Sequence, residues 1–244
     1  MTTVTKLGVA ALLGIACLIL GVQPCSAEWF GDVYVGASLT DKHDVTVHDR
    51  TAGLATYRDV EFDTALAYGL RFGRYLDSVP FLGFGVDYFN FLPNIGPQSV
   101  RVDGCPITRD SCGTNKIGFG SYDLTSRALS FDIFLRLPLL KTDAAPWGRV
   151  TPYLLGGPGV FITTLSPRNT RLFRNFDDDT DIAFGYKGGA GLAISVYKNL
   201  VVFGEYRFTH VAHDFAIRDI NALKATVHTD LDSHTGLVGL GARW

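Results

Sequence analysis

The stretch Leu66-Ala67-Tyr68-Gly69-Leu70-Arg71-Phe72-Gly73 places a large apolar residue at every second position and a small or charged residue between them. Successive side chains of a β-strand point to opposite faces, so a period of two predicts a strand with one apolar and one polar face. The same alternation reaches back to Phe62 and Asp63. We therefore expect a strand over about 62–73, with Phe62 on the apolar face and Asp63 on the polar face.

The same pattern recurs along the rest of the chain. It predicts eight strands in all, over about 31–39, 62–73, 82–89, 128–137, 151–162, 184–196, 201–209 and 235–244. The fifth is the least regular because Pro152 and Pro158 each lack a backbone N–H for the ladder. Three short turns alternate with four long polar connections, at about 40–60, 92–125, 163–182 and 210–233.

This alternation of short and long connections is typical of a closed antiparallel barrel in the outer membrane, with short periplasmic turns and long external loops. No apolar run after residue 27 reaches the 18 residues that a spanning helix needs, so a membrane form must cross with strands. We expect an all-β, single closed barrel with both termini periplasmic. A soluble sandwich or lipocalin-like barrel is the alternative, but it would bury the apolar face and expose the charged one.

The N-terminus has the features of a secretory signal peptide. Lys6 precedes an apolar run from Leu7 to Val22, and Cys25-Ser26-Ala27 supplies a small-residue cleavage site. We expect 1–27 to be cleaved and 28–244 to form the barrel domain. Loss of Lys6 changes the formal net charge from −2 to about −3, which gives no basic field for nucleic acid.

The predicted polar faces carry equal numbers of acidic and basic residues. Charges inside a narrow barrel are costly unless they are paired, so a matched set is what a filled interior should contain. The expected acids are Asp32, Asp63, Asp87, Asp132 and Glu205, and the expected bases are Arg71, Arg136, Lys187, Arg207 and Arg243.

Three tryptophans map to one end of the predicted barrel. Trp29 stands at its start, Trp147 in a short turn and Trp244 at the last position. Aromatic residues gather where a barrel meets the membrane surface, so we expect these three to form a periplasmic girdle.

Several segments resemble the OmpA/opacity-like porin family of small outer-membrane barrels. The final strand is similar to the signal by which such barrels are recognised for insertion, with Val238, Leu240 and Ala242 alternating back from Trp244 where most members end in Phe. Phe203-Gly204-Glu205-Tyr206-Arg207-Phe208 and Asp32-Val33-Tyr34-Val35-Gly36-Ala37 resemble the family as well. The resemblance implies fold and location, and as partners membrane lipid, lipopolysaccharide and the barrel-assembly machinery.

An enzyme of the same size is the rival interpretation. Lipid A deacylases place a nucleophilic serine two residues after a histidine, but His210-Val211-Ala212 has Ala212 at that position. We therefore expect no catalytic residues, no metal and no cofactor. The six histidines lie in or beside predicted loops and are interpreted as solvated, and the acidic run at 177–181 as a solvated tip.

Cys105 and Cys112 are the two cysteines that remain after cleavage at Ala27. A close pair in an exported protein usually forms a disulfide, so we expect one in the longest external loop. The expected function is a structural or surface-interaction role through the loops, with an unidentified external ligand. A narrow porin-like channel for small solutes and a lipid A-modifying enzyme are the alternatives.

Overall fold

The computed structural model describes residues 28–49, 53–104, 113–142, 145, 148–168, 178–218 and 224–244, and these contain twelve strands. They are β1 (Trp29–Thr40), β2 (His43–Asp49), β3 (Gly53–Val60), β4 (Ala65–Tyr75), β5 (Leu82–Phe91), β6 (Gln98–Gly104), β7 (Gly113–Phe119), β8 (Ser121–Arg136), β9 (Val150–Arg168), β10 (Asp179–Tyr197), β11 (Leu200–Arg218) and β12 (Lys224–Arg243).

Eight of these strands form a closed antiparallel ring in the order β1, β4, β5, β8, β9, β10, β11, β12. The ring closes where β1 pairs with β12, with Val33 opposite Leu240. On its other side β1 pairs with β4, with Asp32 opposite Arg71. The expected eight-stranded all-β barrel is confirmed. One end of the barrel, here the terminal end, holds Trp29 and Trp244, which exchange two backbone hydrogen bonds.

The four long connections contain more strand than the sequence suggested. β9, β10 and β11 have 19 residues each, and β12 has 20, so the strands extend far from the terminal end. The period of two continues here with polar residues on the outer face. On β11, for example, His213 and Phe215 are buried while Asp214 is exposed. The polar residues that we expected to lie in loops therefore belong to strands, on the outer face of segments far from the terminal end.

The first two long connections fold into a small sheet at the opposite end, here the extension end. This extension sheet consists of β2, β3, β6 and β7 and joins the ring where β2 pairs with the first residues of β12. Its strands alternate in burial. Val45, Tyr57 and Val102 stand opposite one another on β2, β3 and β6. All three face inward and are at most 5% exposed. The inner face of the extension sheet continues the core beyond the barrel.

β4 begins at Ala65 and not at Phe62, which changes two predicted orientations. Phe62 and Asp63 precede β4, and the Asp63 backbone N–H donates to Asn94 O at 2.8 Å. Phe62 therefore packs partly buried against the core, and Asp63 is exposed. Both residues depart from the faces that the alternation assigned to them, because the period of two applies only inside the strand.

The irregular fifth ring strand, β9, is present despite its prolines. Pro158 lies opposite Tyr186, and the pairing of β8 with β9 is interrupted between Ser130 and Ile133, beside it. Gly157 stands at the same place, and a Cβ there would lie 1.9 Å from Phe131 O. The missing donor of Pro158 and the close backbone approach at Gly157 together explain why this segment reads poorly as a strand.

The outer face of the ring is an exposed apolar belt to which all eight ring strands contribute. Its members include Val33, Val35, Leu66, Leu70, Phe72, Val86, Tyr88, Leu129, Phe131, Ile133, Leu154, Ile162, Phe184, Leu192, Ile194, Val202, Tyr206, Val238 and Leu240. An apolar patch of this extent is far larger than soluble monomers expose. Among the described residues, no helix is long and apolar enough to cross a membrane.

Candidate functional site

The interior nearest the terminal end holds a cluster of charged side chains that spans the barrel. Arg71 on β4 donates from Nε to Asp32 Oδ2 at 2.9 Å and from Nη1 to Glu205 Oε2 at 2.8 Å. Asp32, Arg71 and Glu205 are each no more than 5% exposed. Because β4 and β11 are not neighbours in the ring, the bond between Arg71 and Glu205 crosses the barrel.

A second cation, Arg207, extends this charge cluster toward the extension end. Its Nη2 lies 2.7 Å from Glu205 Oε1 and 3.1 Å from Asp87 Oδ2. Lys187 on β10 completes the set, since its Nζ contacts Asp87 Oδ2 and lies 2.9 Å from Asp132 Oδ2. The contacts link side chains of six strands into one network that fills the cross-section.

Two tyrosine hydroxyls belong to the charge cluster and were missed by the sequence analysis. Tyr34 Oη donates to Asp87 Oδ1 at 2.5 Å and accepts from Arg207 Nη1 at 3.0 Å. Tyr153 Oη donates to Glu205 Oε2 at 2.8 Å. The inward position of Tyr34 could be read from the alternation of β1, but its partner lies 53 residues away in sequence. The pairing depends on the ring closing, which local pattern does not describe.

The structure brings together nine of the ten charges expected in the interior, and Asp63 is the exception because it lies exposed before β4. Glu28 takes its place. This carboxylate is 2% exposed, contacts Arg136 Nη1, and lies 3.8 Å from Arg243 Nε. Arg243 also donates to Asp32 Oδ1 at 2.5 Å. Among the described residues, this interior set therefore still consists of five acids and five bases. Glu28 was missed because it directly follows the expected cleavage site.

A different set of polar groups lies deep in the barrel toward the extension end. His213 Nδ1 lies 2.9 Å from Asp181 Oδ2, and His213 Nε2 lies 2.8 Å from Thr163 Oγ1. Thr163 Oγ1 in turn donates to Ser126 Oγ at 2.9 Å. This chain, the His213 relay, was missed because its members come from four strands. His213 was expected to be a solvated loop residue, but it is 0% exposed.

The order acid, histidine, hydroxyl in the His213 relay is that of a nucleophilic catalyst. Its surroundings are not those of an accessible site. Ser126, Thr163 and His213 are each 0% exposed. The nearby apolar cavity is lined by Leu124, Leu165 and Phe215, each of which lies two residues from a relay member on the same strand face. Ser126, Thr163 and His213 do not line this cavity. The relay therefore satisfies buried polar groups, as folded proteins require.

Several other described histidines contact carboxylates, and His228 contacts two, those of Asp214 and Asp230. His210 Nδ1 lies 2.5 Å from Asp232 Oδ1, and His234 Nε2 lies 3.3 Å from Asp41 Oδ2. No group of three or more metal-ligating side chains among the described residues could hold a metal ion. In the acidic run, Asp179 Oδ2 accepts the Ala216 N–H at 2.7 Å, while Asp177 lies outside the described residues.

Trp29 and Trp244 lie together at the terminal end, and both contact Phe72. Their ring centroids lie 5.2 and 6.0 Å from that of Phe72, respectively. Trp147 lies outside the described residues, as do Cys105, Cys112 and the whole of 1–27. The alternation expected in the last strand is present on β12, where Val238 and Leu240 are exposed on the outer face and Ala242 and Trp244 are partly exposed.

No family model and no curated protein matches this chain, whereas several solved structures share its fold. The outer membrane protein OprG from Pseudomonas aeruginosa is similar with a TM-score of 0.57 at 17% identity, over 88% of this chain and 95% of that one. The outer membrane protease OmpT from Escherichia coli is similar with a TM-score of 0.52 at 9% identity, over 92% and 99%.

Neisserial surface protein A is a weaker structural match, with a TM-score of 0.44 at 13% identity. At such identities the similarity to OprG and OmpT establishes architecture and nothing finer. Together with the closed ring and its apolar belt, the similarity to OprG shows that this chain has the fold of a small eight-stranded outer-membrane β-barrel.

Proposed function

We propose that the protein is an integral outer-membrane barrel that conducts no solute, catalyses no reaction, and acts through contacts made by its extension sheet. The observation that carries this proposal is the combination of an apolar outer belt with an interior filled by paired charges. The belt matches the hydrocarbon region of a bilayer, in which a closed barrel satisfies its whole backbone. An eight-stranded ring is just wide enough to be filled by side chains.

The charge cluster argues against the channel alternative. Arg71, Glu205 and Arg207 meet within hydrogen-bond distance across the lumen, and the cavity on their terminal side has a volume of about 30 Å³. Planar-bilayer recordings of the refolded protein should show no stable conductance. A steady ohmic conductance of the unmodified protein would contradict the proposal.

A row of cations on the outer face of the extension sheet supports a surface role. Arg58, Arg101 and Lys116 stand directly opposite one another on β3, β6 and β7, and all three are exposed. Arg58 is paired with Asp44 and Asp103 at 2.6 and 2.9 Å. Guanidinium and ammonium groups bind phosphate strongly, so this row fits the anionic groups of lipopolysaccharide or another acidic glycan.

Charge reversal tests this contact. The variant Arg101→Glu with Lys116→Glu should bind purified lipopolysaccharide at least several-fold more weakly than the unmodified barrel in biolayer interferometry, and the difference should shrink at high salt. Lys198→Glu is the matched control, because Lys198 is exposed in the turn between β10 and β11 at the terminal end. Equal loss in both variants would indicate a nonspecific charge effect and would contradict the proposed surface.

The proposal places the extension end outside the cell and the terminal end, with both termini, in the periplasm. Short turns at the terminal end and long extensions opposite are typical of outer-membrane barrels. A single cysteine at exposed Lys198 should resist a membrane-impermeant maleimide in intact cells, while one at exposed Arg101 should react. The reverse labelling pattern would overturn the orientation.

The absence of catalysis is supported by the burial of the His213 relay. The protease activity in the name of OmpT belongs to that protein. Incubation of the refolded barrel with lipid A and with a casein substrate, followed by mass spectrometry, should give no product. A product that is lost in the variant Thr163→Val would instead make the relay an active site.

A further inference from the structure

A tyrosine, a histidine and an aspartate form a hydrogen-bonded chain on the outer wall of the barrel, at the border between the apolar belt and the polar outer residues. Tyr206 Oη lies 2.6 Å from His234 Nδ1, and His234 Nε2 lies 3.3 Å from Asp41 Oδ2. We call these three residues the Tyr206 chain. Unlike the His213 relay it is accessible, because Tyr206 and Asp41 are exposed and His234 is partly exposed.

The pairing of the ring strands holds the Tyr206 chain in place. Phe208 on β11 stands opposite His234 on β12, so Tyr206 is the diagonal neighbour of His234. The imidazole contacts both aromatic rings, with centroid distances of 6.0 Å to Tyr206 and 5.3 Å to Phe208. The Asp41 backbone N–H donates to Asp232 O at 2.8 Å, which continues the ladder between β1 and β12.

The hydrogen bonds of His234 show which of its atoms can take a proton. A carboxylate only accepts hydrogen bonds, so the Nε2 that faces Asp41 carries the imidazole hydrogen. Nδ1 then has a free lone pair, and the Tyr206 hydroxyl donates to it. A base within hydrogen-bond distance of a proton, itself oriented by a third group, is well placed to accept that proton. His234 can therefore accept the phenolic proton, and Asp41 stabilises the imidazolium that forms.

Among the residues that the structure describes, Tyr206 is the only exposed tyrosine whose hydroxyl is hydrogen-bonded to an imidazole. Its exposure, 52%, is close to the 53% of Tyr186 and the 45% of Tyr68, which also face outward. The wall beside Tyr206 is open as well, because Gly236 stands opposite it and a Cβ there would meet no atom within 4 Å. Tyr206 thus differs from Tyr186 and Tyr68 by its base and not by its exposure.

We propose that Tyr206 is a modification site, at which radical oxidants such as the carbonate radical and nitrogen dioxide oxidise and nitrate the phenol. A phenol that loses an electron becomes strongly acidic, so the electron leaves most easily when a base can take the proton at the same time. The electron reduces the carbonate radical to carbonate. The proton passes from Tyr206 Oη to His234 Nδ1, and a neutral phenoxyl radical remains.

Nitrogen dioxide, itself a radical, completes the modification. It forms a C–N bond with the ring carbon of Tyr206 next to the one that bears the oxygen, and the hydrogen of that ring carbon moves to the oxygen and restores the phenol. His234 gives its proton to carbonate, which becomes bicarbonate. This site is independent of the proposed surface role, because it lies on the barrel wall and not on the extension sheet.

Nitration of the unmodified protein tests the proposal directly. The refolded protein in vesicles of a saturated phosphatidylcholine is treated with peroxynitrite in bicarbonate buffer, which supplies both radicals, and peptide mass spectrometry measures the nitrated fraction of each tyrosine. Tyr206 should be nitrated several-fold more than Tyr186 and Tyr68, which have similar exposure. Equal nitration of the three tyrosines would overturn the proposal.

A variant of His234 separates proton transfer from exposure. His234→Gln keeps a hydrogen-bond acceptor but removes the base, so nitration of Tyr206 should fall several-fold, to the level of Tyr186. The matched control is His210→Gln, since His210 also pairs with an aspartate but meets only the ring of Tyr186. It should leave the nitration of Tyr206 unchanged. Undiminished nitration of Tyr206 in His234→Gln would show that exposure alone selects this residue, and would overturn the role of the base.

Discussion

Arg71 and Glu205 face each other across the barrel, with Nη1 and Oε2 2.8 Å apart although their strands are not neighbours in the ring. Glu205 also accepts from Arg207 and Tyr153, and Arg71 also donates to Asp32. The pair is thus the centre of the charge cluster. A buried ion pair with this many partners is costly to break from one side only.

Removal of one partner should therefore be strongly destabilising. Arg71→Met leaves the Glu205 and Asp32 carboxylates without their shared cation, and we expect a loss of about 3–5 kcal/mol in the free energy of unfolding. Arg74→Met, whose ion pair with Asp77 is exposed, should cost at most about 1 kcal/mol. Urea titrations in lipid vesicles compare them. Equal stabilities would show that the charge cluster does not contribute as its geometry indicates.

The His213 relay should matter for stability in a similar way. His213→Phe fills about the same space but removes the hydrogen bonds of the imidazole to Asp181 Oδ2 and Thr163 Oγ1, at a cost of about 2–3 kcal/mol. The matched control is His228→Phe, since His228 is half exposed. The gel temperature at which each heat-modifiable barrel unfolds measures the difference. A barrel that is as heat-resistant with His213→Phe as with His228→Phe would contradict this prediction.

Gly36 of β1 lies very close to the backbone of β12 at the seam between these two strands. A Cβ on Gly36 would lie 1.9 Å from Gly236 O, whereas a Cβ on Gly236 would have no atom within 4 Å. We expect Gly36→Ala to force the two strands apart, costing about 1–3 kcal/mol and slowing refolding, and Gly236→Ala to have little effect. Refolding into vesicles, followed by gel shift, tests the contrast. If Gly36→Ala and Gly236→Ala refold at the same rate, the close approach at Gly36 does not limit the pairing of β1 with β12.

On the extension sheet, the Arg58 guanidinium holds the pKa of the Asp103 carboxyl below its ordinary value. A carboxyl with a lowered pKa in the folded state favours folding above its unfolded pKa, and this contribution disappears as the pH falls through the folded pKa. Arg58→Ala should therefore raise the pKa of Asp103 in a carboxyl NMR titration. Arg74→Ala, at the other end of the barrel, is the control and should leave Asp103 unchanged.

The ring strands and their inner charges could be predicted because period-two alternation is a local property of the chain. The same reasoning mistook β2, β3, β6 and β7 for loops. Their outer residues are largely polar, and local alternation did not reveal that their inner residues pack on an apolar core. The Tyr57 and His213 environments could not be predicted, because each combines strands far apart in sequence. Asp63 was misplaced because β4 begins a few residues later than predicted, and Glu28 was missed because it directly follows the expected cleavage site.

Pairing between β1 and β12 has a consequence for the order in which this molecule is made. The first ring strand has no partner on one side until the last ring strand has been synthesised, so an incomplete chain is an open sheet with two exposed edges. Such edges invite pairing with other chains. Contacts between distant parts of a sequence also form slowly. Closure of the barrel therefore requires the whole chain, and both edges need protection from other chains until the first and last ring strands meet.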